Sequence, residues 1–399
     1  MSGARQLQVG NIRPDGSREI TVSDGRGALL HGELGPEPKG HAAASPRLSL
    51  DDIAGLVAMA GRAPSVHNTQ PWWFRACGNV MELHADEDRL LRRIDPARRE
   101  MIISCGAALF GLRLGLRKLG YLPIVEVLPD PDRPALIARV SPGDLAQLSR
   151  HESELLAALP HRHTHRGPFT PGEVPHRLVA GMRMDALAEG AELVLIEQPR
   201  QFADLVELVL AAANEQAADP EIAAELLDWV HASGSQARDG IRAQARLERL
   251  EEHAADGGER HRPAEAEPRF ARLPQRDFGQ PGTEISGGYP PSVTAAVVTA
   301  SDTPADWVHA GQALHRMLLH AATRWVFASL QSQPLESPVW RAELRARLRL
   351  PGEPQLLLQL GRANTAPATP RRPAADILTR DDPASAVDES PGYHWQLRC

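Results

Sequence analysis

Apolar positions recur along this chain with two periods, and the places where the period changes mark its elements. From Ser49 to about Ala60 the spacing is helical, with Ser49 at the capping position. Alternation replaces it over Trp72–Cys77 and Val80–His84, and Gly78-Asn79 between them predicts a hairpin turn. A helix follows over about Arg99–Leu119, carrying the small residues Ser104, Gly106, Ala107, Ala108, Gly111 and Gly115. Such a surface lets a neighbouring helix or backbone approach closely. Tyr121–Leu128 and Ala135–Val140 read as two strands joined by a Pro/Asp turn. Helices are predicted near 143–159, 172–188, 199–217 and 220–231, with a strand at Ala191–Ile196. A strand at 293–300, a long helix near 305–330, a short helix near 337–348 and a strand at Gln355–Gly361 close the ordered region. Short strands cluster apart from long helices, which predicts an α+β fold rather than a doubly wound sheet. No Gly-rich strand-to-helix fingerprint for a dinucleotide is present.

Two stretches lack periodicity. Residues 1–46 are rich in Gly, Pro and charge and predict a mostly disordered tail, with one short strand at Glu19-Ile20-Thr21-Val22. Residues 233–292 are rich in Arg, Glu, Gly and Pro. A connection of that length in a compact protein is either a functional lid or a disordered insert.

Composition narrows the partners. At 399 residues the chain can bury a sizeable core, and its net charge of −7 comes with Lys and Arg dispersed among Asp and Glu. There is no basic face for nucleic acid, and aromatics are too few for base-stacking platforms. A small molecule is the expected partner. No apolar run approaches the roughly 20 residues of a membrane span, and the start lacks the apolar core of a secretory signal. A cytoplasmic location is expected. Cys77, Cys105 and Cys399 form neither a disulfide framework nor a metal spacing, and Cys105 reads as a small core residue.

The segment Arg62-Ala63-Pro64-Ser65-Val66-His67-Asn68-Thr69-Gln70-Pro71-Trp72 is the chemically densest in the chain. Pro64 and Pro71 fix the backbone at both ends, so Ser65, Asn68 and Gln70 lose little freedom on meeting a flat polar ligand. The same residues also suit a helix-to-strand loop in which Ser65 and Asn68 cap and turn and Trp72 is core. Further on, Arg162, Thr164 and Arg166 alternate, so an extended backbone puts two guanidinium groups and a hydroxyl on one face. That set can cradle a phosphate, and Arg371-Arg372 between Pro370 and Pro373 forms a second cationic pair; a solvated basic loop and tail are the plainer alternative. His161, His163 and His165 share the other face, but the arginines between them repel a cation and no metal site is assigned. No activated serine or cysteine nucleophile is present.

Pro64-Ser65-Val66-His67-Asn68-Thr69-Gln70-Pro71-Trp72 resembles the Pro-Ser-x-x-Asn-x-Gln-Pro-Trp segment of the FMN-dependent nitroreductase superfamily. Asp95-Pro96-Ala97-Arg98-Arg99-Glu100, followed by Ile103-Ser104-Cys105-Gly106-Ala107-Ala108-Leu109, resembles the Acg family of actinobacteria within it. The resemblance covers about residues 47–380 and implies a nitroreductase-like fold whose two fused halves, 47–145 and 146–399, form a pseudo-dimer within one monomeric chain. It implies bound FMN, with Arg162, Thr164 and Arg166 on the phosphate together with Arg371 and Arg372. Pro64, Ser65, Asn68 and Gln70 would come from the opposite half. Gln333-Pro334-Leu335-Glu336-Ser337 resembles the family's Pro-x-Glu-Gly loop, whose backbone N–H groups face flavin N5, with Ser337 in place of Gly. Pro334, Leu335, Glu336 and Ser337 are therefore expected at the cofactor, and Arg324-Trp325 is expected to narrow the pocket. The implied activity is NAD(P)H-dependent reduction of nitro-aromatic or quinone-like acceptors, with no catalytic side-chain acid or base. The alternative is a lid-closed protein that binds or sequesters FMN with little turnover, residues 233–292 being the lid.

Overall fold

A computed structural model describes residues 6–12, 18–23, 29–34, 48–166, 169–232, 235–242, 292–364 and 369–380. Two compact units are present, Met1–Arg47 and Leu48–Cys399. In the first, β1 (Gln6–Ile12), β2 (Arg18–Ser23) and β3 (Leu29–Leu34) pair antiparallel in that order. Where composition predicts a mostly disordered tail with one short strand, the backbone forms a three-stranded meander. The short strand at Glu19–Val22 lies inside β2, and apolar-polar alternation such as Ile20 and Val22 suits strand pairing.

The described residues of the second unit hold two large sheets, one two-stranded sheet and a pair of central helices. Ser49 caps the helix Leu50–Ala60 in a reciprocal box with Asp52. β4 (Trp72–Cys77) and β5 (Val80–Ala85) form the expected hairpin, turned at Gly78 with φ +58°. The helix Arg99–Lys118 follows, then β6 (Tyr121–Val127) and β7 (Leu136–Leu145). Trp72, Phe74, Met81, Leu83, Ile137 and Val140 face Ile53, Leu56, Val57, Cys105, Leu109 and Leu112 in one core cluster. Cys105 is indeed a small core residue, and burial pushes its thiol pKa up.

After the helix Arg150–Ala158 come the helix His176–Ala188, β8 (Glu192–Leu195), the helices Pro199–Ala218 and Pro220–Asp228, and the paired two-residue strands β9 (Val230–His231) and β10 (Ile241–Arg242). β11 (Val293–Thr299) leads into the second central helix, Pro304–Ala322, then β12 (Val326–Gln331), β13 (Glu353–Arg362) and β14 (Leu378–Arg380). The second sheet runs β12-β13-β11-β8 and is covered on both faces. Ala295 and Val297 of β11 join the cluster of helices His176–Ala188 and Pro304–Ala322, while Ala296 and Val298 join that of Pro199–Ala218 and Pro338–Leu348. This alternation explains why β11 is apolar from Ala295 to Val298. The first sheet runs β14-β4-β5-β7-β6, so the C-terminal arm returns to the opposite sheet and pairs parallel with β4.

The predicted helix over 305–330 stops at Ala322, and β12 occupies its remainder. Thr323, Arg324 and Trp325 take the last helical carbonyls with their N–H groups, and Trp325 turns the chain at φ +54°. No Gly or Pro marks that turn, so periodicity carried the helix too far. Among the described residues no helix is long and apolar enough to cross a membrane.

The central helices cross at two glycines. A Cβ on Gly106 would strike the Val308 carbonyl, and one on Gly311 would strike the Ile103 carbonyl. Gly111 accommodates the Leu50–Ala60 helix, its would-be Cβ lying 2.9 Å from Ala60 Cα. The small residues of Arg99–Lys118 therefore allow two helices to approach it. Just before this helix, buried Asp95 accepts the Met101 N–H at 2.9 Å, and Arg98 takes a left-handed conformation at φ +63°. Burial pushes the Asp95 pKa up to about 6, against the hydrogen bonds it accepts.

Gly106→Ala and Gly311→Ala should each destabilise by about 1–3 kcal/mol through overpacking, whereas Gly55→Ala, with nothing within 4 Å, should be neutral or stabilising by up to about 1 kcal/mol; equilibrium denaturation of the three variants checks this. Because the folded pKa of Asp95 lies above its unfolded value, its ionisation withdraws stability as pH rises from about 4 to about 6. The stability difference Asp95→Asn minus wild type should accordingly grow in favour of the variant across that window, and a flat difference in denaturation curves would refute the assignment.

Candidate functional site

The sequence Ser65–Gln70 folds into a strained turn. His67, Asn68 and Gln70 all have left-handed φ, +44°, +59° and +49°, which non-glycine residues adopt only when their surroundings compel it. The surroundings are hydrogen bonds. Ser65 Oγ accepts the Gln70 N–H at 3.0 Å, and Asn68 Nδ2 donates to the carbonyls of Gly240 at 3.1 Å and Pro370 at 3.2 Å. Gln70 Nε2 donates to the Arg238 carbonyl at 2.8 Å, and Gln70 Oε1 accepts the Arg372 N–H at 2.8 Å. Asn68 and Gln70 thus clamp two crossing segments, 238–240 and 370–372, while Pro64, Ser65, Val66 and His67 line a cleft.

That cleft holds about 930 Å³ of empty space, its open side included. Its other walls are Glu100, Ile103 and Ser104 of the first central helix, Leu314 of the second, and Ser329, Leu330 and Gln331 of β12 with Leu356 and Leu357 of β13. Thr164, His165 and Arg166 close one end, and Ile241 also reaches it.

The segment His161–Arg166 is extended beside β12, with a parallel bridge from Thr164 to Ala328 and the His165 N–H on the Ala328 carbonyl at 2.8 Å. Arg162 donates from Nη2 to the Arg62 carbonyl at 3.1 Å, while its buried Nε and Nη1 have no hydrogen-bond partner. Arg371, from the C-terminal arm, donates from Nη1 to Asn68 Oδ1 at 2.7 Å and from Nη2 to the Ala63 carbonyl at 3.3 Å, leaving buried Nε without one. Burial pushes Arg162 down to about 10, with Arg166 and Arg62 adding repulsion, and pushes Arg166 down to about 10 as well. Burial likewise holds Arg371 well below the usual arginine range, with repulsion from Arg162, Arg166 and Arg62. Residues roughly two hundred positions apart in sequence therefore converge on one partly buried, self-repelling cationic centre. His315 Nδ1 lies 2.7 Å from the Ala107 carbonyl, and the ring is wholly buried. Its Nε2 has no hydrogen-bond partner, and burial with the charge of Arg162 pushes its pKa down to about 3, so the imidazole is neutral.

Other expected residues sit elsewhere. Arg372 faces Asp86 at 3.3 Å and donates to the Gln70 and Trp72 carbonyls, so it fastens the arm rather than joining the cationic centre. Pro334 is buried and Leu335 lines the cleft, in the short helix Gln333–Glu336. The Leu335 and Glu336 N–H groups both go to the Ser332 carbonyl, at 2.7 and 3.2 Å, and Glu336 accepts from Gln216 Nε2 at 2.7 Å. The cleft meets this stretch at Gln331, Ser332, Gln333 and Leu335, not at Glu336 and Ser337. Trp325 lies outside the cleft, 5.8 Å from the His161 ring, so it does not narrow it. Of the lid expected at 233–292, residues 243–291 lie outside the described residues.

Sequence reasoning missed Glu100, Ser104, Leu314, Gln331 and Gln333 as cleft residues. Glu100, Ser104 and Gln333 belonged to motifs already singled out, but Leu314 and Gln331 carried no signal. The three alternating histidines do not converge: His163 packs 4.3 Å from the Phe327 ring and burial pushes its pKa down to about 4. Among the described residues, the group of three His and carboxylate side chains whose ligand atoms lie within 4.8 Å of one another is His151, Asp185 and His320. Arg316 Nε binds the same Asp185 carboxylate at 2.9 Å, which makes this group a charge network between helices.

No family model matches the chain. Curated relatives do. "Putative NAD(P)H nitroreductase Rv3131" of Mycobacterium tuberculosis is 30% identical over 337 residues, covering 82% of this chain and 91% of the relative. "Putative NAD(P)H nitroreductase acg" of the same organism is 28% identical over 343 residues, covering 83% and 96%. Among solved structures, a nitroreductase with bound FMN from Desulfitobacterium hafniense DCB-2 aligns at 16% identity and TM-score 0.31, over 57% of this chain and 97% of that one. A likeness at that score fixes no residue correspondence. The agreement with Rv3131 runs along nearly its whole length, and on that ground the chain belongs to the same NAD(P)H nitroreductase-like family, which also contains acg.

Proposed function

We propose that the chain is an FMN-binding oxidoreductase in which one polypeptide supplies both sides of the site. The observation that carries this reading is the partly buried cationic centre of Arg162, Arg166 and Arg371. Arg166 lines the open cleft, and unclaimed guanidinium N–H groups on Arg162 and Arg371, which stand behind that lining, fit a phosphate dianion. Without such a ligand the fold buries like charges against one another. Thr164 and Ser65 place hydroxyls on the cleft, and Val66, Leu314, Leu330, Leu335, Leu356 and Leu357 give it apolar walls suited to a flat ring. The relatives named as NAD(P)H nitroreductases, and the FMN bound in one structural neighbour, point to the same cofactor class.

The chemistry this cofactor supplies when bound is hydride transfer through flavin N5, from NAD(P)H to a nitro-aromatic or quinone-like acceptor. The protein's part is to hold the anion, orient the ring and exclude water, and no side-chain acid or base is assigned. The architecture supports reading the chain as two nitroreductase-like halves. Each sheet has its own central helix, those helices cross at Gly106 and Gly311, and the C-terminal arm crosses back to pair with β4. A monomer completed by this internal pairing is the assembly we assign.

One observation favours the second reading, an FMN-binding or sequestering protein with little turnover. Ile241 and the segment 238–240, clamped by Gln70 and Asn68, stand at the cleft where the long insertion begins.

Arg162→Ala and Arg371→Ala should each weaken FMN binding by about 10- to 100-fold, as expected for loss of charge-assisted hydrogen bonds. Arg372→Ala should lower thermal stability more than FMN affinity. Fluorescence titration of FMN against the purified variants measures this, and equal affinities across all of them would remove the phosphate assignment. Anaerobic mixing of the FMN-loaded protein with NADH or NADPH separates the two functional readings. Bleaching near the ~450 nm flavin band is expected for the oxidoreductase, and persistent colour with both nucleotides would instead establish the sequestering protein.

A further inference from the structure

The cleft contains two buried hydrogen-bond donors with nothing to bind. Gln331 and Gln333 are each 2% exposed, both line the cleft, and the Nε2 of each lacks a hydrogen-bond partner. Leaving an amide donor buried and unpaired is costly, so a pair of them on one wall marks a place where a ligand presents acceptors. A second, independent observation concerns the backbone. The N–H groups of Leu335 and Glu336, in the loop expected to donate to the flavin ring, are both spent on the Ser332 carbonyl. The Glu336 carboxylate is turned away to Gln216.

We infer that in this chain the side-chain amides of Gln331 and Gln333, rather than the Leu335 and Glu336 backbone N–H groups, donate to the acceptor edge of the flavin ring. This rests on the FMN reading above. Both amides stand on rigid supports: Gln331 ends β12, paired with Leu357 of β13, and Gln333 opens the short helix Gln333–Glu336, where the Gln333 carbonyl accepts from Gln216 Nε2 at 3.2 Å. The glutamines are neutral, so they add no charge to a cleft that already contains Glu100. Donors fixed before reduction favour the state in which the ring carries more electron density, because hydrogen bonds strengthen as the acceptor gains charge. Gln331 and Gln333 are thus redox-tuning residues, while the arginines at the phosphate end set retention.

The test uses the full-length protein loaded with FMN and two near-isosteric variants, Gln331→Met and Gln333→Met, alone and combined. Each substitution should leave oxidised FMN affinity within about threefold of wild type but weaken binding of reduced FMN by about tenfold. A tenfold change in a two-electron couple lowers the midpoint potential by about 30 mV, read by spectroelectrochemical titration. In the FMN-free protein the same variants should raise the thermal midpoint, since each removes an unpaired buried donor. A merely structural glutamine would lower that midpoint and leave the potential alone. A double variant that binds FMN with an unchanged potential overturns this inference and leaves the FMN reading standing. Wild-type protein that takes up no FMN overturns both.

Discussion

Gathering Arg162, Arg166 and Arg371 in one partly buried place is unfavourable, and much of the surrounding structure follows from how that charge is held. Arg162 and Arg371 rest on carbonyl oxygens of Arg62, Ala63 and Pro370, which are partial negative charges. Carbonyl dipoles offset only part of the cost of desolvating an ion. What remains is a standing preference for an anion, built by three segments that no local interaction would bring together. The opening turn contributes carbonyls, the extended stretch after Arg150–Ala158 contributes two guanidiniums, and the C-terminal arm contributes the third.

That convergence requires the two sheets to be set at a fixed distance, and the central helices do this. Because the backbone of Pro304–Ala322 comes up against Gly106, and that of Arg99–Lys118 against Gly311, the crossing has no side chains to slide on. Close-packed interiors transmit small displacements, so the contact positions cleft walls on both helices, Ile103 and Ser104 on one and Leu314 on the other. The arm then returns to β4, and its parallel pairing from Leu378 to Arg380 anchors the stretch that carries Arg371. Arg372, spent on Asp86 and two carbonyls, is part of that anchor.

Much of this was legible in the sequence, and the failures have physical causes. The turn motif, the hairpin at Gly78 and the small-residue helix are local patterns, and local patterns survive being read one residue at a time. The alternation Arg162-Thr164-Arg166 placed both arginines on one face because an extended strand has a two-residue period. Arg371 and Arg372 could not be told apart, since adjacent residues in a strand-like arm point to opposite sides and only tertiary context says which side is the site. The loop at Glu336 fails for a similar reason: whether a backbone N–H is available depends on a turn to Ser332 that composition does not encode. The helix over 305–330 ended early because Trp325 adopts a left-handed turn that its residue type disfavours, and packing overrode propensity. Gln331 carried no signal, and Gln333 stood in a quoted motif without a role, because a glutamine beside a serine looks like surface until its burial is known.

Asn68 is where these threads meet. Its carboxamide binds Arg371 through Oδ1 and the Gly240 and Pro370 carbonyls through Nδ2, so one side chain fixes both the third guanidinium and the root of the long insertion. A group shared in this way couples its partners, because the free energy of each contact depends on the other being made. The position of Arg371 and the placement of residues 238–240 are therefore linked through a residue that itself has a left-handed backbone, at φ +59°. The motif segment is then less a ligand-touching surface than a fastening: Pro64 and Ser65 meet the cleft, and Asn68 and Gln70 decide what else is held against it.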